Sequence, residues 1–287
     1  MNTLIPAWKK LIQTGLQEDA IAFDWTARAA KLARKNQSTR ATLIAKSNGI
    51  WAAETGLKAL EILSVELGMH LKIESFVKDG DTLLPKQKIC EWSGDAESIL
   101  VFERTFINLA AYASGIATQT HELVKIVAAA QMKKPVRVTG TRKTLPGFKD
   151  LSIQSTLVGG AYPHRYNLSG GLLIKENHVA AAGGIAQAIR NARTTAPHLL
   201  KIEIEVRDLA EMKQAIEAGA EVIMLDNFTP DLIREAVKSK PANVIFEVSG
   251  GITSANIASY CIEGLDVISV GSITHSVTAV DLSLLSQ

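Results

Sequence analysis

From Pro135 onward the apolar positions fall into a regular rhythm. Short, nearly continuous apolar runs, VRVTGT, GLLIKENH, KIEIEV, EVIMLDN, NVIFEVSGG and DVISVGS, alternate with stretches of helical spacing at approximately 148–158, 184–194, 209–218, 230–239 and 254–263. A strand that is apolar on both faces is covered on both faces, so this alternation predicts a parallel sheet wrapped by helices. Six such strands suit a closed or nearly closed β/α barrel better than an open sheet.

Before about residue 115 the pattern differs. The amphipathic opening LIPAWKKLIQTGLQED predicts a helix. ATLIAKSNGIWAAE reads as a strand, a Gly turn and the start of a helix running toward Leu67. HLKIESFVKDGDTLLPKQKICEWSGD reads as short strands joined by the turn signals Asp79-Gly80-Asp81 and Gly94-Asp95. AESILVFERTFINLAAYASGIATQTHELVKIVAAA predicts a long helix broken near Ser114-Gly115. The change of rhythm divides the chain into an α/β domain at 1–115 and a barrel at 116–274.

The candidate chemistry of the predicted strands collects at their C-terminal ends. They finish on Thr141-Arg142-Lys143, on Lys175-Glu176-Asn177-His178, on Glu203 and Glu205, on Asp226-Asn227, on Glu247 with Ser249-Gly250-Gly251, and on Gly271-Ser272. A single polar strand end is ordinarily a solvated loop start. Six at the C-terminal ends of parallel strands converge on one mouth, where barrel enzymes build their active sites. SGG before a helix starting near Thr253, and VGS before another, would offer free N–H groups to a phosphate.

Glu203 and Glu205 share a strand face, and Asp226 is expected level with Glu205 on the next strand. Acids beside a phosphate repel it unless Mg²⁺ or donating ribose hydroxyls bridge them. The alternative is a structural ion network with Lys143 or Lys175. GGAYPHRYNLSGG adds His164 and Arg165, and FERTF adds Arg104. With Arg142, Lys143 and Lys175 that makes five permanent cations and a histidine, more than one phosphate requires. A ligand with several carboxylates, or a polyphosphate with a carboxylated co-substrate, would need such a set.

Composition narrows the partners. The 287 residues are 47% hydrophobic and 21% charged, with a net charge of +2, so anion recognition has to be local. That balance argues against a nucleic-acid or membrane surface. Cys90 and Cys261 stand far apart among apolar neighbours, which predicts neither disulfide nor zinc site. The N-terminal stretch reads as no leader and no apolar run reaches about 18 residues, so the expected setting is cytoplasmic.

TRKTLPG, GGAYPHR, LIKENH, EIEV, IMLDN, EVSGGI and VGSITHSVTAVDLSL, in this order, resemble the quinolinate phosphoribosyltransferase family. QED…FDWT, KDGD and ERTFINLAAYASGIAT extend the resemblance over almost the whole chain. It implies an N-terminal α/β sandwich rejoined by the C-terminal tail, 275–287, and a β/α barrel of the type II phosphoribosyltransferase kind. It implies Mg²⁺-dependent transfer of phosphoribose from phosphoribosyl pyrophosphate (PRPP) to quinolinate with decarboxylation, in a homodimer or higher homo-oligomer with shared sites. Carried over, Arg142, His164 and Arg165, with Arg104 reaching the neighbouring subunit's site, would hold the quinolinate carboxylates. Lys143 and Lys175 would lie between quinolinate and pyrophosphate, and Glu205 and Asp226 on the ribose and Mg²⁺ side. Thr141, Ser249, Gly250, Gly251, Val270, Gly271 and Ser272 would complete the substrate-binding set, with the glycine and serine turns around the 5′-phosphate. Gly140 departs from the family's usual Asp, and GGAYPHR leans toward a molybdenum-associated (ModD-like) paralogue. That paralogue and an inactive phosphate-binding barrel are the alternative readings.

Overall fold

A computed structural model of the protein describes residues 4–21, 24–27, 29 and 38–286. Phe23 of FDWT, the first three residues of the predicted N-terminal domain and Gln287 of the tail lie outside the described residues. The helix Ile5–Glu18 is followed by strands β1 (Ser38–Ala45), β2 (Gly49–Ile50), β3 (Lys72–Ser75), β4 (Thr82–Leu83) and β5 (Lys88–Asp95), with the helix Glu54–Glu66 after β2. The helix Ala96–Ala129 leads to β6 (Arg137–Thr139), β7 (Leu172–Ile174), β8 (Ile202–Val206), β9 (Val222–Asp226), β10 (Ile245–Ser249) and β11 (Val267–Ser269). The last strand is β12 (Leu282–Ser286).

These elements form two compact units. One comprises Met1–His121, Thr144–Gly160 and Val277–Gln287, the other Glu122–Lys143 and Ala161–Ser276. The helix Lys149–Val158, assigned to the barrel by the alternation, therefore belongs to the first unit. Its reason is a buried polar relay: Trp8 Nε1 donates to Gln154 Oε1 at 2.9 Å, and Gln154 Nε2 donates to Thr55 Oγ1 at 3.1 Å.

In the first unit, four antiparallel strands run in the order β12-β1-β5-β3. The tail returns as an edge strand, with Leu43 opposite Leu284. Beneath the sheet Trp8, Trp51, Trp92, Phe102 and Phe106 are fully buried, the Trp92 and Phe106 rings meeting edge-on at 5.4 Å. The helix Ala96–Ala129 continues straight through Ser114-Gly115, where a break was expected. A Cβ on Gly115 would stand 2.2 Å from the Thr278 carbonyl oxygen, so this glycine serves close approach and not a stop. That helix is also long and apolar enough to span a membrane by composition, contrary to the reading of the linear sequence. Its apolar window is 72% buried inside the protein, as a core helix's is.

In the second unit the strand order is β6-β11-β10-β9-β8-β7, parallel throughout. All six predicted strands form. The ladder is open between β6 and β7, and the segment 161–171 passes from one edge to the other. It starts on a parallel bridge between Thr139 and Tyr162. Ile204, Ile223, Phe246, Val248 and Ile268 fill the core. Asp266 braces the unit, accepting from Lys134 Nζ at 2.6 Å, from the Phe246 N–H at 2.9 Å and from Lys240.

Two helical expectations change here. An unpredicted helix, Glu176–Ala182, takes the end of the GLLIKENH run. The stretch expected as a helix over 254–263 forms only the single 3-10 turn Ile257–Tyr260. Asn256 is the cause: its side chain accepts from the Thr253 N–H at 2.8 Å and donates to the Gly251 carbonyl at 3.0 Å. Such side-chain bonds offer the backbone an alternative to the helix.

Candidate active site

The C-terminal strand ends of the second unit surround a cavity of about 560 Å³. Strand alternation sends every second residue inward, so β8 supplies Glu203 and Glu205, β9 Met224 and Asp226, β10 Glu247 and Ser249, and β11 Ser269. Depth sorts them. Glu203, Met224, Glu247 and Ser269 are buried, whereas Glu205, Asp226 and Ser249 are half-buried nearer the mouth. The register corrects one expectation: Glu205 stands opposite Met224, and Asp226 opposite Ser249. Asp226 is thus one pleat, roughly 7 Å, farther along the strands than Glu205.

On the acidic wall, Lys175 Nζ forms an ion pair with Glu205. Burial and the charge of Glu205 raise the pKa of Asp226, while a hydrogen bond from Asn227 and the charges of Lys175 and Lys143 oppose that rise. Asn227 holds a left-handed conformation, φ +56°, with its N–H on the Ser249 carbonyl at 2.8 Å and its Nδ2 on Asp226 at 2.8 Å. Gly250, φ +106°, lies directly against it, and a Cβ there would come within 2.1 Å of Asn227 Oδ1.

On the opposite wall, β6 releases the chain into Gly140-Thr141-Arg142-Lys143. Thr141 Oγ1 accepts from the Lys143 N–H at 3.2 Å and meets Thr274 Oγ1 at 3.3 Å, which fixes the turn. Arg165 Nη1 donates to the Gly171 carbonyl at 2.9 Å, and its Nε is buried without a partner. Burial, then the neighbouring Arg142 charge, lowers the Arg165 pKa. An orphaned guanidinium donor beside a second arginine is suited to an incoming anion.

His164 lines the cavity with both ring nitrogens engaged by the protein. Nδ1 accepts the Arg165 N–H at 2.8 Å, so the ring proton lies on Nε2, which faces Glu247 at 3.6 Å and Glu203 at 3.7 Å. The Glu247 carboxylate beside Nε2, joined by the charge of Glu203, pulls the His164 pKa upward against burial. Burial, and next the charge of Glu247, push Glu203 up to about 7. Glu203 Oε1 has no hydrogen-bond partner, and the Ser269 hydroxyl donates to Glu247.

Of the residues expected from the sequence, Thr141, Arg142, Lys143, His164, Arg165, Lys175, Glu205, Asp226, Ser249, Gly250 and Gly251 all line this cavity. Val270, Gly271 and Ser272 do not, although a Cβ on Gly271 would lie 3.7 Å from Lys143 Cδ. Arg104 is exposed on the helix Ala96–Ala129 of the first unit and is absent from the lining. The helix N-termini expected behind the two glycine turns are a loop leading to a 3-10 turn and the four-residue helix Ser272–His275. Any anion held there would meet loop N–H groups, shaped by Gly250 and Gly251 at φ +106° and +61°, with little helix dipole.

Gly140, Leu173, Met224 and Ser269 also line the cavity, as do Asn227 and Glu247, which the sequence places at polar strand ends without a binding role. Alternation back from Lys175, Asp226 and Gly271 marks Leu173, Met224 and Ser269 as facing the same side. Clustered arginines face clustered acids in one chamber, an arrangement that can take a polyanion whose hydroxyls or bound cation reach the acids. Glu205 and Asp226 offer carboxylate oxygens to the chamber, the donors that a hard divalent cation takes.

The chain matches the C-terminal domain of quinolinate phosphoribosyl transferase over residues 116–285 and its N-terminal domain over 21–114. It is 39% identical over 276 residues to a probable nicotinate-nucleotide pyrophosphorylase (carboxylating) of Bacillus subtilis, covering 96% of this chain and 92% of that one. The human nicotinate-nucleotide pyrophosphorylase (carboxylating) is 36% identical over 277 residues, with 96% and 90% covered. The crystal structure of the Francisella tularensis nicotinate-nucleotide pyrophosphorylase superposes with a TM-score of 0.87 at 33% identity, covering 99% of this chain and 97% of that one. With both domain models matched in order along one chain, and strand ends that converge on a chamber for anions, the protein belongs to the quinolinate phosphoribosyl transferase family.

Proposed function

We propose that this protein transfers phosphoribose from PRPP to the ring nitrogen of quinolinate and releases the 2-carboxylate as CO₂, yielding nicotinate mononucleotide and pyrophosphate in NAD biosynthesis. The observation that carries this reading is one chamber in which Arg142 and Arg165 face Glu205 and Asp226, with Lys143 and Lys175 in the same lining. Arg142, Arg165 and the His164 edge hold the dicarboxylate, the unpartnered Arg165 Nε supplying a ready donor. The loop Ser249-Gly250-Gly251, which lines the chamber, receives the 5′-phosphate. Lys143 and Lys175 lie toward the pyrophosphate.

The chemistry follows from charge. As the bond from C1′ to pyrophosphate oxygen breaks, positive charge grows on the ribose, and Glu205 and Asp226 stabilise it. Lys175 then exchanges its ion pair with Glu205 for the departing anion. The pyridine nitrogen, oriented by the carboxylate clamp, forms the new bond to C1′. In the resulting pyridinium, the electrons of the C2–carboxylate bond fall into the ring, CO₂ leaves and C2 takes a proton. Mg²⁺, held by Glu205 and Asp226 together with PRPP oxygens, would supply neutralising charge. The reading includes a homodimer, or a higher assembly, in which Arg104 of one subunit completes the site of another, and a cytoplasmic setting.

Incubating the protein with quinolinate, PRPP and Mg²⁺ should give nicotinate mononucleotide and CO₂ in equal amounts. Absence of both products would overturn the reading. Equal use of nicotinate would show that the two-carboxylate clamp is misassigned.

A further inference from the structure

Glu203 and Glu247 lie below the reacting groups, 8% and 4% exposed. Two buried carboxylates are costly unless they hold something. They stand on β8 and β10, strands that are not neighbours in the sheet, since β9 runs between them. Both face the same atom, His164 Nε2, at 3.7 and 3.6 Å. Nδ1 of that ring accepts the N–H of Arg165 at 2.8 Å. The ring therefore links two strands of the barrel wall to the backbone of the next residue.

The segment 161–171 that bears His164 crosses the open seam of the sheet without a strand ladder of its own. At one end Tyr162 is tied to Thr139, whose Oγ1 donates to the Tyr162 carbonyl at 2.9 Å. At the other end Arg165 Nη1 reaches Gly171. Between these ties the backbone of Arg165 is set by the His164 ring. We infer that Glu203 and Glu247 are positioning residues: through His164 they form a strut across the barrel interior that aims the Arg165 guanidinium at a substrate carboxylate. This rests on the quinolinate reading above and assigns a specificity role to two buried acids deep in the unit.

The test compares Glu203→Leu with Glu203→Gln, measuring kcat and KM for quinolinate and for PRPP separately. Leu removes the polar oxygen that faces Nε2 at similar volume, and Gln keeps one. Loss of one of the two buried carboxylates that face the ring predicts a rise in quinolinate KM of about tenfold for Leu, with PRPP KM within about twofold of wild type. Gln should return quinolinate KM to within about threefold of wild type. A rise shared equally by both KM values, no rise, or equal damage from Leu and Gln would overturn the strut. If Glu203→Leu does not fold, Glu247→Gln decides: a quinolinate KM raised about threefold with PRPP KM unmoved supports it, and any other pattern refutes it. The wild-type assay separates the two layers, because an inactive wild type refutes the quinolinate reading and leaves nothing for the strut to position.

Discussion

Gly250 and Asn227 show how little room a single residue has in this site. Both backbones are in the left-handed region, and the glycine's missing Cβ is the space that Asn227 occupies. Gly250→Ala must displace Asn227, and with it the bond to Asp226 and the loop assigned to phosphate. Steady-state kinetics should show PRPP KM raised about tenfold or more, with quinolinate KM changed far less. Lys175 makes the opposite kind of case. Its ion pair with Glu205 is the structural-network alternative to catalysis, and the two are separable by kinetics. Lys175→Ala should lower kcat about a hundredfold if the lysine meets the leaving group, whereas a structural role alone would move melting temperature and leave kcat near wild type.

Among the elements, the helix Ala96–Ala129 and the strand pair β10–β11 carry the clearest stability claims. Gly115→Ala pushes a methyl into the Thr278 carbonyl, a backbone atom that cannot step aside. Urea unfolding should report a loss of about 3 kcal/mol. Asp266 is held by Lys134, Lys240 and the Phe246 N–H, which outweigh burial and keep its pKa below the ordinary 3.8. A carboxylate with a depressed pKa stabilises the fold above its unfolded value and loses that contribution as pH falls through its folded one. Asp266→Asn should therefore cost about 2 kcal/mol at neutral pH. The gap to wild type should close below about pH 3.8, as thermal melts over an acid series would show.

For the whole molecule, Arg104 is the informative residue, exposed on the first unit and outside the cavity lining. A shared-site dimer makes a numerical prediction. Arg104→Ala and Arg165→Ala proteins, each inactive, should regain about a quarter of wild-type activity when denatured together and refolded as an equal mixture. Half the dimers are then mixed, and each mixed dimer has one intact site. No recovery would place Arg104 outside its partner's site.

The alternation after Pro135 was enough to find six strands, because a strand covered on both faces must be apolar along its length. The polar strand ends were enough to locate the chamber, and family motifs to nominate most of its lining. The helix over 254–263 was misread because one asparagine side chain competes with the backbone. The break at Gly115 was misread because a glycine that signals a stop and one that admits a neighbouring carbonyl look alike in sequence. The pleat between Glu205 and Asp226 depends on interstrand register, and the meeting of Glu203 and Glu247 at one imidazole depends on the crossing of a barrel. A linear pattern records which way each side chain faces along its own strand. How far one strand is slid against the next, and which side chains then meet across the interior, is set by the packing of all six, so only the tertiary structure decided it.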